Sequence, residues 1–284
     1  MKVNSTFKLF SMTSVYLWLG ALALAPLLLM LLTSFLSYND SQLIIWHFTL
    51  SNYHRLFSDI YFIILLRSLE LALISTSVCL LIGYPTAFIL AQLSRRWKAV
   101  LLLLMIIPFW TSSLIRTYAL LAILKTKGLL NSALLGMGLI HQPLQLLYTN
   151  TAVLIGCVYS LLPFMILPLY ANIEKLDHRL IEAAKDLGAS QPRLFVRIIL
   201  PLTMPGILAG CLLVFLPAMT LFYIPILLGG AKSLLLGNLI QDQFLAIRDW
   251  PGGAASSIML TLLMLLLILI YRHFNKNKKN QELL

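Results

Sequence analysis

An all-α membrane protein with six transmembrane helices is the fold class this sequence predicts, and three observations predict it. Of its 284 residues, 60% are hydrophobic and only 11% charged, and the mean hydropathy is +0.91, well away from the composition of soluble domains. The apolar residues come in blocks rather than stripes: residues 9–39, 71–94, 128–173, 198–231 and 250–271 contain no Asp, Glu, Lys or Arg. A helix needs roughly 20 apolar residues to cross the hydrocarbon, so several blocks are long enough to span. The cationic residues gather at the ends of the blocks, where a membrane protein carries its topology signal.

Six spans follow in order, near residues 12–36, 62–92, 99–124, 148–171, 202–228 and 254–274. Lys2 and Lys8 precede the first, and Ala21-Leu22-Ala23-Leu24-Ala25 imitates a cleavage site. The apolar run from Val15 to Leu36 exceeds the roughly 7–15 residues of a cleaved signal core, so it is read as a helix that stays. Residues 37–61, with Asn39-Asp40-Ser41, Trp46 and His47, form a loop. The short basic Ser94-Arg95-Arg96-Trp97-Lys98 links the second and third spans. Gly128, Gly136, Gly138 and Pro143 mark a loop at 125–147. A polar segment at 172–201 separates the fourth and fifth spans, and 229–253 connects the last two. No internal repeat is visible, and residues 1–284 read as one transmembrane domain.

The net charge of +11 does not point to nucleic acid, because of where it lies. With both termini cytoplasmic, fourteen of the 21 Lys and Arg residues fall on the inner side, five of them in 172–201, as short cytoplasmic loops require. Cys79, Cys157 and Cys211 sit inside apolar runs as small hydrophobes. Gly230-Ala231-Lys232-Ser233 lacks the spacing of a phosphate-binding loop, so the chain is not expected to hydrolyse ATP. No metal motif or nucleophile–base set is present. His47, His54, His141, His178 and His273 read as surface or loop histidines, and no cofactor is expected on this chain.

Within 172–201, Asp177 suits the N-cap position, and Leu180, Ile181, Ala184 and Leu187 share a helical face. Gly188 permits a turn at positive φ, Ser190 and Pro192 suit the start of a second helix, and Pro201 is expected to end it. The pattern Glu182-Ala183-Ala184, three residues, Gly188, nine residues, Ile198-Ile199-Leu200-Pro201 resembles the cytoplasmic EAA loop of permease subunits in bacterial binding-protein-dependent ABC importers. The alternative for such a segment is an amphipathic helix on the headgroups, with Arg193 and Arg197 on anionic lipid. The resemblance implies the type I ABC importer permease fold and a coupling helix–turn–helix that docks on an ATPase through Glu182, Ala183, Ala184, Asp186, Gly188 and Pro201.

Further segments are similar to the spermidine/putrescine branch of that family: Pro108-Phe109-Trp110-Thr111-Ser112-Ser113-Leu114-Ile115-Arg116-Thr117-Tyr118, Leu162-Pro163-Phe164-Met165-Ile166-Leu167-Pro168-Leu169-Tyr170, Leu228-Gly229-Gly230-Ala231-Lys232 and Arg248-Asp249-Trp250-Pro251. The resemblance implies an inner-membrane, alternating-access importer of polyamines. Its partners would be a homologous second permease of PotC type, two ATPase subunits of PotA type that use ATP and Mg, a periplasmic binding protein of PotD type, and membrane lipid.

A polyamine calls for carboxylates, carbonyls and aromatic faces along its path. Glu70 is the one well-placed acid inside a span. It either contacts cargo or neutralises Arg67, three residues earlier on the same face. Trp110, Tyr118 and Tyr223 are lining candidates or packing residues. Arg116 would repel a cation and is expected to be structural, salt-bridged or reaching the interface near the outer end. Pro163, Pro168, Pro201, Pro205, Pro217 and Pro225, frequent around the last three spans, would bend the helices that hold them, as hinges or as static kinks. Two other readings remain open at this stage, an ABC permease for another small solute and an ion-driven secondary transporter. The latter would show mid-membrane acids or His and an internal repeat.

Overall fold

A computed structural model of the chain describes residues 5–39, 42–230 and 234–281. Among them, six helical stretches are long and apolar enough to cross a membrane: Val15–Ser34, Asp59–Gln92, Ser113–Gly136, Asn150–Ile173, Gln191–Thr220 and Trp250–Leu269. The chain divides into two compact units, one formed by residues up to Phe62 with those from Leu239 onward, the other by Ile63–Asn238.

In the first unit, helix α1 (Ser5–Ser34) packs against α12 (Trp250–Gln281). The stretch 37–61, expected as a loop, folds into an antiparallel hairpin of β1 (Ser37–Asn39) and β2 (Gln42–Ile45) followed by α2 (Ser51–Leu56). Asn52, buried in α2, donates from Nδ2 to the carbonyls of Ser34 (2.9 Å) and Leu36 (2.8 Å). These bonds satisfy the backbone where α1 ends, which a buried helix terminus requires. Arg55 reaches Asp249 at 3.0 Å. The Asp249 carboxylate, only 4% exposed, also accepts from the Gly252 N–H at 2.9 Å, capping the first turn of α12. The residues that follow, Pro251–Ser256, are all buried, small side chains that let helices approach closely.

The second unit is carried by the body of α3 (Asp59–Gln92) and by α7 (Asn150–Ile173) and α10 (Leu200–Thr220), the last two packed along each other. They come close at Gly206 and Gly210, where an added Cβ would stand 2.7 Å from the Asn172 Cβ and 2.7 Å from the Met165 sulfur respectively. α7 ends beside the start of α4 (Arg95–Ile106), where Lys98 Nζ meets Glu174 Oε1 at 3.1 Å. The Tyr170 hydroxyl, and then the Lys98 ammonium, hold the Glu174 carboxyl below its ordinary range.

The third span departs from expectation. Residues 99–124 are not one helix. α4 gives way to a 3-10 turn at Ile107–Trp110 and an extended Thr111-Ser112 before α5 (Ser113–Leu124). Pro108 removes a donor, and the Thr111 hydroxyl takes the Pro108 carbonyl at 2.7 Å, so side chain competes with ladder. The next connection holds a short helix, α6 (Leu129–Gly136), and α11 (Leu236–Leu245) occupies part of 229–253. Ala231, Lys232 and Ser233 lie outside the described residues.

Pro201 does not end the helix of the coupling segment. α9 (Gln191–Leu194) runs through a π-turn at Phe195–Ile199 straight into α10. Leu200 N–H bonds back to the Phe195 carbonyl, five residues earlier, and this widened turn admits a proline in the next position where a regular α-turn would clash.

Three outcomes test this architecture. Asp249→Ala removes both the Arg55 pair and the α12 cap, and should lower the melting temperature of the purified chain by an amount corresponding to about 2–4 kcal/mol, since bonds to a buried charge contribute roughly 1.5–3 kcal/mol each. Gly210→Val overpacks the Met165 contact and should cost about 1–3 kcal/mol, read in the same thermal assay. Glu174 has a folded-state value below its unfolded one, so its pairing stabilises the fold above the ordinary carboxylate range and is lost as pH falls through the depressed value. The native chain should therefore lose more melting temperature on acidification below about pH 4 than Glu174→Gln does.

Candidate functional site

The coupling segment is a knob closed by its own backbone. Helix α8 (His178–Asp186) is capped by Asp177, whose Oδ1 accepts from the Arg179 N–H at 3.0 Å. At the other end Gly188 takes φ +79°. Its N–H donates to the Lys185 carbonyl (2.9 Å) and the Ala189 N–H to the Ala184 carbonyl (3.0 Å). That pair of bonds is a Schellman closure, which needs a left-handed residue and explains the glycine. Ser190 occupies the N-cap position of α9 in extended conformation, but its hydroxyl makes no cap bond.

The interior of the knob is apolar. Ala184, Leu194 and Ile199 form its buried centre, with Phe88 of α3, Ile181 and Leu176 against them. Ala184 therefore faces inward and is not part of a surface offered to a partner; a larger side chain there would push the two helices apart. Glu182, Ala183, Asp186, Gly188 and Pro201 are exposed. So are Leu180 and Leu187, the latter at 88%, although both share the sequence-predicted apolar stripe. Two leucines and Ala183 at offsets of three and four make an outward apolar strip flanked by two carboxylates. The helical spacing shows that Leu180 and Leu187 belong to a stripe. It does not show that the stripe is wide enough to have a buried edge and an open one.

Of the candidate pathway residues, Glu70 lines a cavity whose lining includes none of Trp110, Tyr118 and Tyr223. Trp110, at the break in the third span, is 80% exposed, and Tyr118 is exposed as well. Arg116 forms no salt bridge with any described residue. Its guanidinium lies 5.0 Å from the centroid of Phe109, which meets Phe164 of α7 edge to face at 5.3 Å. A cation on an aromatic face replaces the ion pair expected for it. Tyr223 is partly buried, packed on the cluster of Leu124, Val153, Cys157 and Ile224, with its ring edge-on to Phe222 at 5.8 Å. Packing accounts for that tyrosine.

Glu70 and Arg67 both line a cavity of about 400 Å³ at the start of α7. They stand three residues apart on α3, yet no ion pair joins them: among the described residues the ion pairs within 4.0 Å are Arg55–Asp249 and Lys98–Glu174. Asn150 and Thr151 supply further polar atoms to the cavity. Sequence reasoning missed those two, although a polar pair directly ahead of a long apolar run was the available signal. It also missed Lys98–Glu174, whose partners are 76 residues apart and carry no local signature.

Three comparisons bear on this arrangement. The sequence pattern of the family described as "Binding-protein-dependent transport system inner membrane component" matches residues 80–280. The spermidine/putrescine transport system permease protein PotB of Salmonella typhimurium (strain SL1344) is 53% identical over 285 residues, covering 100% of this chain and 99% of that protein. PotB of Escherichia coli (strain K12) is 55% identical over 264 residues, covering 92% and 96%. A crystal structure of a bacterial ABC transporter involved in the import of the acidic polysaccharide alginate shares the fold, with a TM-score of 0.72 over 95% of this chain and 96% of that one at 18% identity. The helical architecture expected from the sequence is thus that of ABC importer permeases, and the chain belongs to the family of binding-protein-dependent transport system inner membrane components, as a multi-pass permease of the inner membrane.

Proposed function

We propose that this chain, residues 1–284 acting as one transmembrane domain, is the permease subunit that carries spermidine or putrescine inward through an ATP-driven importer. The observation that carries the reading is identity above 50% with PotB proteins over nearly their whole length. The partners are a second permease of PotC type, two ATPases of PotA type that bind ATP and Mg, and a periplasmic binding protein of PotD type. Both termini lie in the cytoplasm, the orientation that puts most Lys and Arg inside. The chain itself contributes no ATPase site.

The knob is the coupling element. Its strip of Leu180, Ala183 and Leu187 is open to a partner, while Glu182 and Asp186 offer acceptors at its margins. Ala184 and Gly188 fix the shape of the knob rather than touching the partner, and Pro201 marks where it passes into α10. ATP-driven closure of the ATPases would move this knob, and the continuous α9–α10 helix would carry the motion into the spans. The apolar strip supports docking on a protein, since a free leucine at 88% exposure is better covered by protein than by water.

Uptake of labelled spermidine and putrescine, measured at low external polyamine in cells lacking this chain and in cells given it back, tests the cargo. Restored uptake that also depends on the ATPase supports the reading; no restoration in an assembled complex refutes it. Leu187→Asp should abolish co-purification with the ATPase and reduce uptake at least tenfold, while leaving the chain in the membrane at native level; unchanged co-purification would remove the knob from the coupling interface.

A further inference from the structure

We propose that Glu70 and the cavity it lines are a subsite for one ammonium group of the cargo and the methylene chain beside it, an inference that rests on the polyamine reading above. Glu70 lies eleven residues into α3, about 16 Å along the helix from Asp59. A carboxylate inside a span is costly and is retained where a partner or a cavity meets it. Within this chain it has no partner: no hydrogen bond or ion pair reaches it from any described residue, and Arg67, the natural candidate, is not within 4.0 Å. What it has is space. The cavity is open on the side of its polar lining, where Arg67, Glu70, Asn150 and Thr151 are all exposed, and its volume of about 400 Å³ falls within the size range of those that hold a small organic molecule.

The lining suits an alkyl ammonium in particular. Glu70 supplies charge, and Asn150 and Thr151 supply neutral oxygens for the remaining N–H donors. Leu71 and Ile74, with Val153, give an apolar wall for methylenes. Arg67 lines the same space and opposes a bound cation. It weakens the subsite and favours onward movement, which a pathway needs because a site that binds too tightly does not release.

The experiment is polyamine uptake by the complete complex in cells without other polyamine importers, with this chain native or substituted. Glu70→Gln, which keeps size and removes charge, should raise KM for both putrescine and spermidine about tenfold or more, the loss of one charge-assisted contact, with the maximal rate changing less. Glu70→Asp, which keeps the charge, should recover part of the loss. Arg67→Gln alone should lower KM, because it removes the repulsion and leaves the carboxylate in place. A native KM in Glu70→Gln overturns the subsite. So does a raised KM in Arg67→Gln, which would assign Glu70 to balancing Arg67. Loss of the second permease from the purified Glu70→Gln complex also overturns it, by assigning the carboxylate to assembly. A native complex that takes up neither polyamine fails before any variant is compared, and sinks the cargo reading with the subsite.

Discussion

Hydrocarbon offers no partner to a backbone N–H or C=O, and most of what is distinctive in this chain follows from that constraint. Where the helices are regular, the ladder is internally complete and side chains are free to pack. Where a helix ends or breaks, something must close the gap. Asn52 takes the carbonyls of Ser34 and Leu36, Asp249 takes the Gly252 N–H at the start of α12, and the Thr111 hydroxyl turns onto the Pro108 carbonyl. Asp249 borders an apolar run, Thr111 interrupts one and Asn52 reaches in from the stretch between two spans, and each has a backbone group to satisfy.

The same accounting separates charges that are structural from those that are not. Arg55 and Asp249 meet at 3.0 Å, with the carboxylate buried. Arg116, in the first turn of α5, rests on Phe109, which in turn leans on Phe164, so this cation is held against aromatic rings. Glu70 has no such arrangement, although a cation stands one helical turn away.

Much of the fold was legible in the sequence because hydrophobic blocks and proline or glycine positions are local signals. Span number, the Asp177 cap and the Gly188 turn all follow from chemistry within a few residues. The departures depend on what the sequence does not display. The third span looked continuous because Pro108 and Thr111 sit in an apolar run, and only the competition of the Thr111 hydroxyl for a carbonyl shows the break. Pro201 looked like a terminator because a regular α-turn would exclude it, but the π-turn at Phe195–Ile199 shifts the bonding by one residue. The resemblance assigned Ala184 to the docking surface, and it is buried because Leu194 and Ile199, with Phe88 from a distant helix, close around it. The Glu70 cavity arises from segments up to about residue 235 and is invisible to any local pattern.

The unbroken passage from α9 through the π-turn into α10 makes residues 191–220 a single rod with one end embedded in the knob. Thirty residues at about 1.5 Å each give a lever about 45 Å long. A tilt of about 10° imposed at the base would swing its far tip sideways by about 8 Å, more than the full pitch of a helix. The amplification is a matter of length alone. Pro205 and Pro217 lie along the shaft, so compliance at either point would decide how much of the stroke arrives at the far end and how much is absorbed on the way.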